Sequence, residues 1–160
     1  MQKARTEMRI YMREKNTEPL TQEQIQDLIR QAIEARRMAY TPYSHYDVGA
    51  ALLAADGRIY RGCNIENAAY TPTNCAERTA FFKAVSEGCL AFRAIAVVGS
   101  PKGEAITQYG FPCGVCRQVM MEFCDPDSFE VIVALSPDEY RSYLLREILP
   151  EGFGPVNLQK

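Results

Sequence analysis

The chain has 160 residues, 47% of them hydrophobic, with 18 Lys and Arg against 20 Asp and Glu, which suits one domain burying roughly 70% of its unfolded surface. A net charge of -2 argues against a nucleic-acid surface, which needs clustered Lys and Arg. No apolar run reaches the roughly 20 residues of a membrane span, and the first residues lack the apolar stretch of a secretory signal, so the expectation is a soluble cytoplasmic protein.

Residues 1–20 read as an N-terminal extension to a single domain over 21–160. The extension carries Lys3, Arg5, Arg9, Arg13 and Lys15 against Glu7, Glu14 and Glu18, as a short helix over 7–14 or a mobile arm. Thr21 and Gln24 have the form of a capping box. Ile25, Leu28, Ile29, Ala32, Ile33 and Ala39 then recur at helical spacing, predicting a helix over 22–40 that ends at Thr41-Pro42. Val48–Ala54 and Ile59–Asn64 read as a hairpin around Asp56-Gly57. A helix over Cys75–Ser86, closed by Gly88, follows a polar loop. Ile95–Gly99 reads as a buried strand, Ser100–Phe111 as a loop, Cys113–Phe123 as a helix and Val131–Leu135 as a second buried strand. Tyr140–Leu145 is expected to form a last helix. A strand–helix–strand unit is parallel and a hairpin antiparallel, so the fold class is α/β: a mixed sheet with helices on both faces.

Six cysteines are too few for a disulfide scaffold, which runs at about 8–10% of a chain. A C-x-x-C pair such as Cys113-Gly114-Val115-Cys116 is more often a metal or redox site. Cys75 opens one expected helix, while Cys113 and Cys116 share a face at the start of another. Helix N-termini favour the thiolate that binds metal. If the helices start side by side, three sulfurs converge on one soft or borderline ion, with zinc the best fit at one per chain. Three ligands rather than four leave a position for water, the mark of a catalytic site. Glu77, two residues after Cys75, can carry protons for that water, and Arg78 can hydrogen-bond to the thiolates behind them. Competing readings are a four-cysteine structural site recruiting Cys63, Cys89 or Cys124, and a redox pair at Cys113 and Cys116. The single histidine, His45, reads as a surface or packing residue.

Cys75-Ala76-Glu77 with Pro112-Cys113-Gly114-Val115-Cys116 matches the three-cysteine form of the zinc-deaminase signature. Around it lie Arg36–Ser44 (R-x-x-A-Y-x-P-Y-S), Val48–Leu52, Gly62–Tyr70 and Leu149–Pro155. In these segments the chain resembles the small homotetrameric cytidine deaminases from about Gln24 to Pro155. The resemblance implies a three-layer α/β/α sandwich on a mixed, mostly five-stranded sheet. It also implies hydrolysis of free cytidine, and of deoxycytidine, with release of ammonia in pyrimidine salvage. Zinc-bound hydroxide would attack C4 while Glu77 shuttles protons. Asn64 and Glu66 would hold the ribose hydroxyls and Ala76 would offer its N–H to the pyrimidine. Tyr46 would pack on the substrate, where family members usually have phenylalanine. Phe153 would come from a neighbouring subunit, with Tyr70 near the boundary, in a homotetramer with shared active sites. Val115 stands where alanine is usual, and Thr71-Pro72-Thr73 lies in a variable loop. Alternatives are deamination of another aminopyrimidine nucleoside or antibiotic, and a zinc-stabilised binding module without turnover.

Overall fold

A computed structural model describes residues 18–158; the helix or arm expected over residues 7–14 lies outside them. Helix α1 (Gln22–Arg36) starts at the expected capping box. The Thr21 hydroxyl accepts from Gln24 N–H at 3.2 Å, and the Gln24 side chain accepts from Thr21 N–H at 3.0 Å, satisfying two backbone donors reciprocally. The helix stops at Arg36 rather than at residue 40. Tyr40 is drawn into a bridge with Ile65: its N–H donates to Asn64 O at 3.0 Å, and its carbonyl accepts from Glu66 N–H at 2.9 Å. These bonds replace the helical ones.

Strands β1 (Tyr46–Ala54) and β2 (Ile59–Cys63) form the predicted hairpin. Gly57 takes φ +88° at its turn, a conformation open to glycine without steric cost. Helix α2 (Ala76–Ser86) leads through Gly88, at φ +85°, into β3 (Phe92–Pro101). Helix α3 (Gly114–Phe123), β4 (Glu130–Ser136), β5 (Glu139–Leu144) and the short α4 (Leu145–Ile148) follow. A 3-10 turn over Pro155–Leu158 comes last. The five strands run in the order β2-β1-β3-β4-β5, with β3 and β4 parallel and every other pair antiparallel.

The segment 140–145 corrects the expectation of a helix. Ser136 and Glu139 pair across the turn Pro137-Asp138, and Tyr140 to Leu144 run antiparallel to β4. Tyrosines at 140 and 143 with Leu144 mimic helical spacing. An unfilled hydrogen-bonding edge on β4 decides the matter, because an uncovered edge leaves a row of unpaired backbone groups.

Alternation along the strands divides the core in two. Ala51 and Leu53 of β1, with Ala94, Ala96 and Val98 of β3, pack under Leu28, Ile29 and Ala32 of α1. Ala50, Leu52, Ile95 and Val97 face α2 and α3. On that side Phe81 of α2 is fully buried, 5.1 Å from the Phe92 ring and 6.1 Å from that of Phe129; truncating such a ring costs about 3–5 kcal/mol. Two glycines set how closely helices approach the sheet. A Cβ on Gly49 would lie 2.1 Å from the Ala32 carbonyl oxygen, and one on Gly62 would lie 2.2 Å from that of Ala76. The second contact seats the first turn of α2, and hence Cys75, against β2. Among the described residues no helix is long and apolar enough to cross a membrane.

Candidate metal centre and active site

Cys75 and Cys113 are the N-caps of α2 and α3, both extended in φ and ψ, and neither side chain makes a capping hydrogen bond. In the usual N-cap a Ser, Thr or Asp oxygen turns back onto the helix; here the sulfurs turn toward one another instead. Cys116 stands three residues into the same turn as Cys113 and is buried. The Sγ atoms are 3.9 Å apart between Cys75 and Cys113 and 3.5 Å apart between Cys113 and Cys116. All three lie within 4.8 Å of one another. Tetrahedral zinc at a Zn–S distance near 2.3 Å requires sulfurs about 3.8 Å apart, so the three fit the ion.

The electrostatics favour metal binding. The hydrogen bond from Cys116 pushes the Cys75 thiol down to about 5, helped by the Arg78 guanidinium, whose Nη2 lies 3.6 Å from Cys75 Sγ. The same bond to Cys75 holds the Cys116 thiol well above its ordinary range. The pair thus favours the thiolate at Cys75, and a bound cation would release the proton its neighbour holds. Arg78 also donates to Thr73 O at 3.3 Å, tying the loop before the helix to the site.

Glu77 is only 4% exposed. Burial pushes its carboxyl up to about 7, near the pH at which an acid–base group both takes and gives protons most effectively. It lines a cavity of about 330 Å³ together with Cys75, Ala76 and Cys113. Tyr46, Val48, Asn64, Thr73, Asn74, Val97, Gly99, Gly110 and Phe111 complete the lining. The volume falls at the small end of ligand pockets, and the lining combines apolar walls with a few polar groups.

The remaining sequence-predicted residues differ in their surroundings. Asn64 splints the start of β1: its Oδ1 accepts from Val48 N–H and its Nδ2 donates to Tyr46 O, each at 2.8 Å. One acceptor site and one N–H remain free on that amide. Glu66 is not on the cavity lining; its carboxylate accepts from Tyr43 N–H at 2.9 Å and from Ser44 N–H at 3.2 Å. Hydrogen bonding from the Ser44 side chain is the chief reason its carboxyl sits below the usual range, with the two backbone N–H groups adding to it. Tyr70 is 73% exposed and Phe153 57% exposed, and neither lines the cavity of its own chain. His45 is exposed, at φ +53°. Cys89 and Cys124 are buried in the core, and the Cys63 thiol donates to Met38 O.

Residues 22–132 match the family described as cytidine and deoxycytidylate deaminase zinc-binding region. The chain belongs to that family. Among relatives of this family, the cytidine deaminase of Sporosarcina psychrophila is 48% identical over 134 residues, covering 84% of this chain and 94% of the relative. That of Halalkalibacterium halodurans is 50% identical over 128 residues, covering 80% and 92%. The crystal structure of cytidine deaminase from Burkholderia pseudomallei superposes with a TM-score of 0.72 at 44% identity, covering 79% of this chain and 97% of that one. With the Mycobacterium tuberculosis cytidine deaminase structure the TM-score is 0.65 at 36% identity, covering 80% and 95%. Zinc, the ion for which the matched region is named, is the one the three sulfurs fit. Sequence reasoning about this deaminase-family chain passed over Phe111, Gly99 and Gly110. Phe111 carried a signal, an aromatic two residues before the first cysteine of the C-x-x-C pair. The glycines are cavity wall through backbone alone and left none.

Proposed function

We propose that the chain hydrolyses cytidine and deoxycytidine to uridine and deoxyuridine, releasing ammonia. The observation that carries this reading is the buried Glu77 carboxyl beside three convergent sulfurs at the wall of a nucleoside-sized cavity. Zinc held there supplies a Lewis acid able to bring the pKa of water from about 15.7 toward 7. Glu77 takes the proton from the attacking water and passes it to ring N3 as the new C–O bond forms at C4. The carboxylate then takes the proton of the new C4 hydroxyl and delivers it to the departing amino group, so the C4 carbonyl forms as C–N cleavage releases neutral ammonia. A carboxyl near pKa 7 serves both transfers. Ala76 N–H, in the first turn of α2, is one of the helix donors without an intrahelical partner and suits the pyrimidine carbonyl oxygen. Tyr46 packs against the base. The spare donor and acceptor on Asn64 bind the ribose, with Glu66 bracing the adjoining turn and bonding the sugar hydroxyl. Arg78 offsets the negative charge of three thiolates.

Phe153 and Tyr70 act across subunit boundaries in a homotetramer with shared active sites. Exposed Tyr43, whose ring lies 6.1 Å from that of Tyr70, and the exposed pair Tyr40 and Ile65 joined by a bridge support this, since exposed apolar surface of that kind marks an interface. The setting is cytoplasmic pyrimidine salvage. Incubating zinc-loaded protein with cytidine, following the cytosine absorbance and identifying uridine by chromatography, tests the reaction. One zinc per chain without conversion would overturn it.

A further inference from the structure

The segment joining β3 to the metal-binding turn is held in an unusual way. Its ends are fixed: Arg36 Nη2 and Ser100 Oγ donate to Glu104 O at 2.9 and 3.0 Å, and Arg117 Nε donates to Pro112 O at 2.8 Å. Between them, residues 105–111 form no backbone–backbone hydrogen bond among the described residues. Ile106 packs into the α1-side core. The rest is pinned by the edge strand β5. The Arg141 guanidinium lies 4.4 Å from the Tyr109 ring centroid, and Tyr143 stands 5.5 Å from Phe111, the two rings inclined at 59°. Gly110 lies between the pinned rings, and both Gly110 and Phe111 face the cavity.

A strap without backbone bonds, with glycine between its two pinned rings, has many conformations to lose. Two ring contacts offset that loss, each worth more than its buried area alone. We infer that Tyr143, outside the cavity, is a positioning residue that fixes Phe111 as a wall of the nucleoside site, with Arg141 and Tyr109 as its second anchor. The inference rests on the deaminase reading above and adds a specificity element held from the edge strand rather than from the metal-binding helices. It predicts that the edge strand controls how tightly the substrate is held while leaving the chemical step alone.

The test is a cycle on the full-length zinc enzyme. Tyr143→Ala should raise KM for cytidine roughly three- to tenfold with little change in kcat, from the worth of one aromatic pair. Zinc content should stay at one per chain. Tyr143→Phe, which keeps the ring and gives up only the phenol's bond to Arg141, should recover most of the native KM. In a Phe111→Ala background, Tyr143→Ala should add nothing further. Hydrogen exchange of residues 105–111 should quicken in Tyr143→Ala and not in Tyr143→Phe, a readout that does not depend on turnover. If Tyr143→Ala fails to fold, Tyr143→Leu takes its place in the cycle. An unchanged KM, additive effects of the two truncations, or unaltered exchange in the strap would overturn the inference. Failure of the native protein to convert cytidine would count against the deaminase reading, and the exchange measurement would still decide whether Tyr143 holds the strap.

Discussion

Replacing Glu77 by glutamine removes the proton carrier while leaving the shape of the site. The side chain is 4% exposed and glutamine has the same length, so no cavity opens and the first turn of α2 stays filled. Cys75, Cys113 and Cys116 are untouched, and zinc should remain at one per chain. The loss is the acid–base contribution, roughly 10²- to 10⁴-fold in turnover, or about 2.7–5.4 kcal/mol in the barrier. Glu77→Asp keeps an acid but withdraws it by about one C–C bond. Misplacements near 1 Å cost on the order of a hundredfold, so it should fall at the mild end of that range. The assay is the loss of cytosine absorbance on zinc-loaded protein, with metal content measured on the same samples and melting temperature as the check on folding. A fully metallated Glu77→Gln enzyme turning over within about tenfold of native would refute the assigned role.

Removing zinc with a chelator should abolish turnover and lower the melting temperature, and zinc should restore both; Cys75→Ser, which leaves two thiolates, should not hold the metal through a desalting column. Gly62→Ala should destabilise the protein by about 1–3 kcal/mol or prevent folding, measured by denaturant unfolding, because its Cβ would lie 2.2 Å from the Ala76 carbonyl oxygen. Glu66, whose carboxyl is held below its ordinary value, contributes stability that is fully present above its unfolded-state pKa and fades as pH falls through the folded value. Glu66→Gln should therefore flatten the loss of stability on acidification, read from melting temperatures between neutral pH and pH 3.

What the sequence discloses follows the range of the forces involved. Thr21 with Gln24, the Asp56-Gly57 turn and Gly88 act locally, so their elements could be read residue by residue. The thiolate cluster was legible because both ligand-bearing turns are helix starts, where geometry is stereotyped. The boundary at Arg36 was not, since Tyr40 exchanges helical bonds for a bridge to Ile65 that only the folded chain brings near. Residues 140–145 misled for the same reason: their spacing suits a helix, and the waiting edge of β4 is a tertiary fact. Phe111 lay in what read as plain loop: its place two residues before Cys113 is a signal, while its partner Tyr143 on a distant strand leaves none. Glu66 shows the opposite case. The motif suggests a ligand contact, while the structure adds a bracing role in the turn over Tyr43 and Ser44.

The caps of α2 and α3 have a consequence for folding. Cys75 and Cys113 are 38 positions apart, and the intervening stretch contains all of α2 and β3. An ion gripping both ends closes that stretch into a ring, as a covalent bridge would. Unlike such a bridge, it holds only the folded chain, where the site is formed, so its binding free energy adds to that of folding. The metal thus acts as a reversible cross-link between two segments that must meet for the sheet to form, and it does so without an oxidising environment.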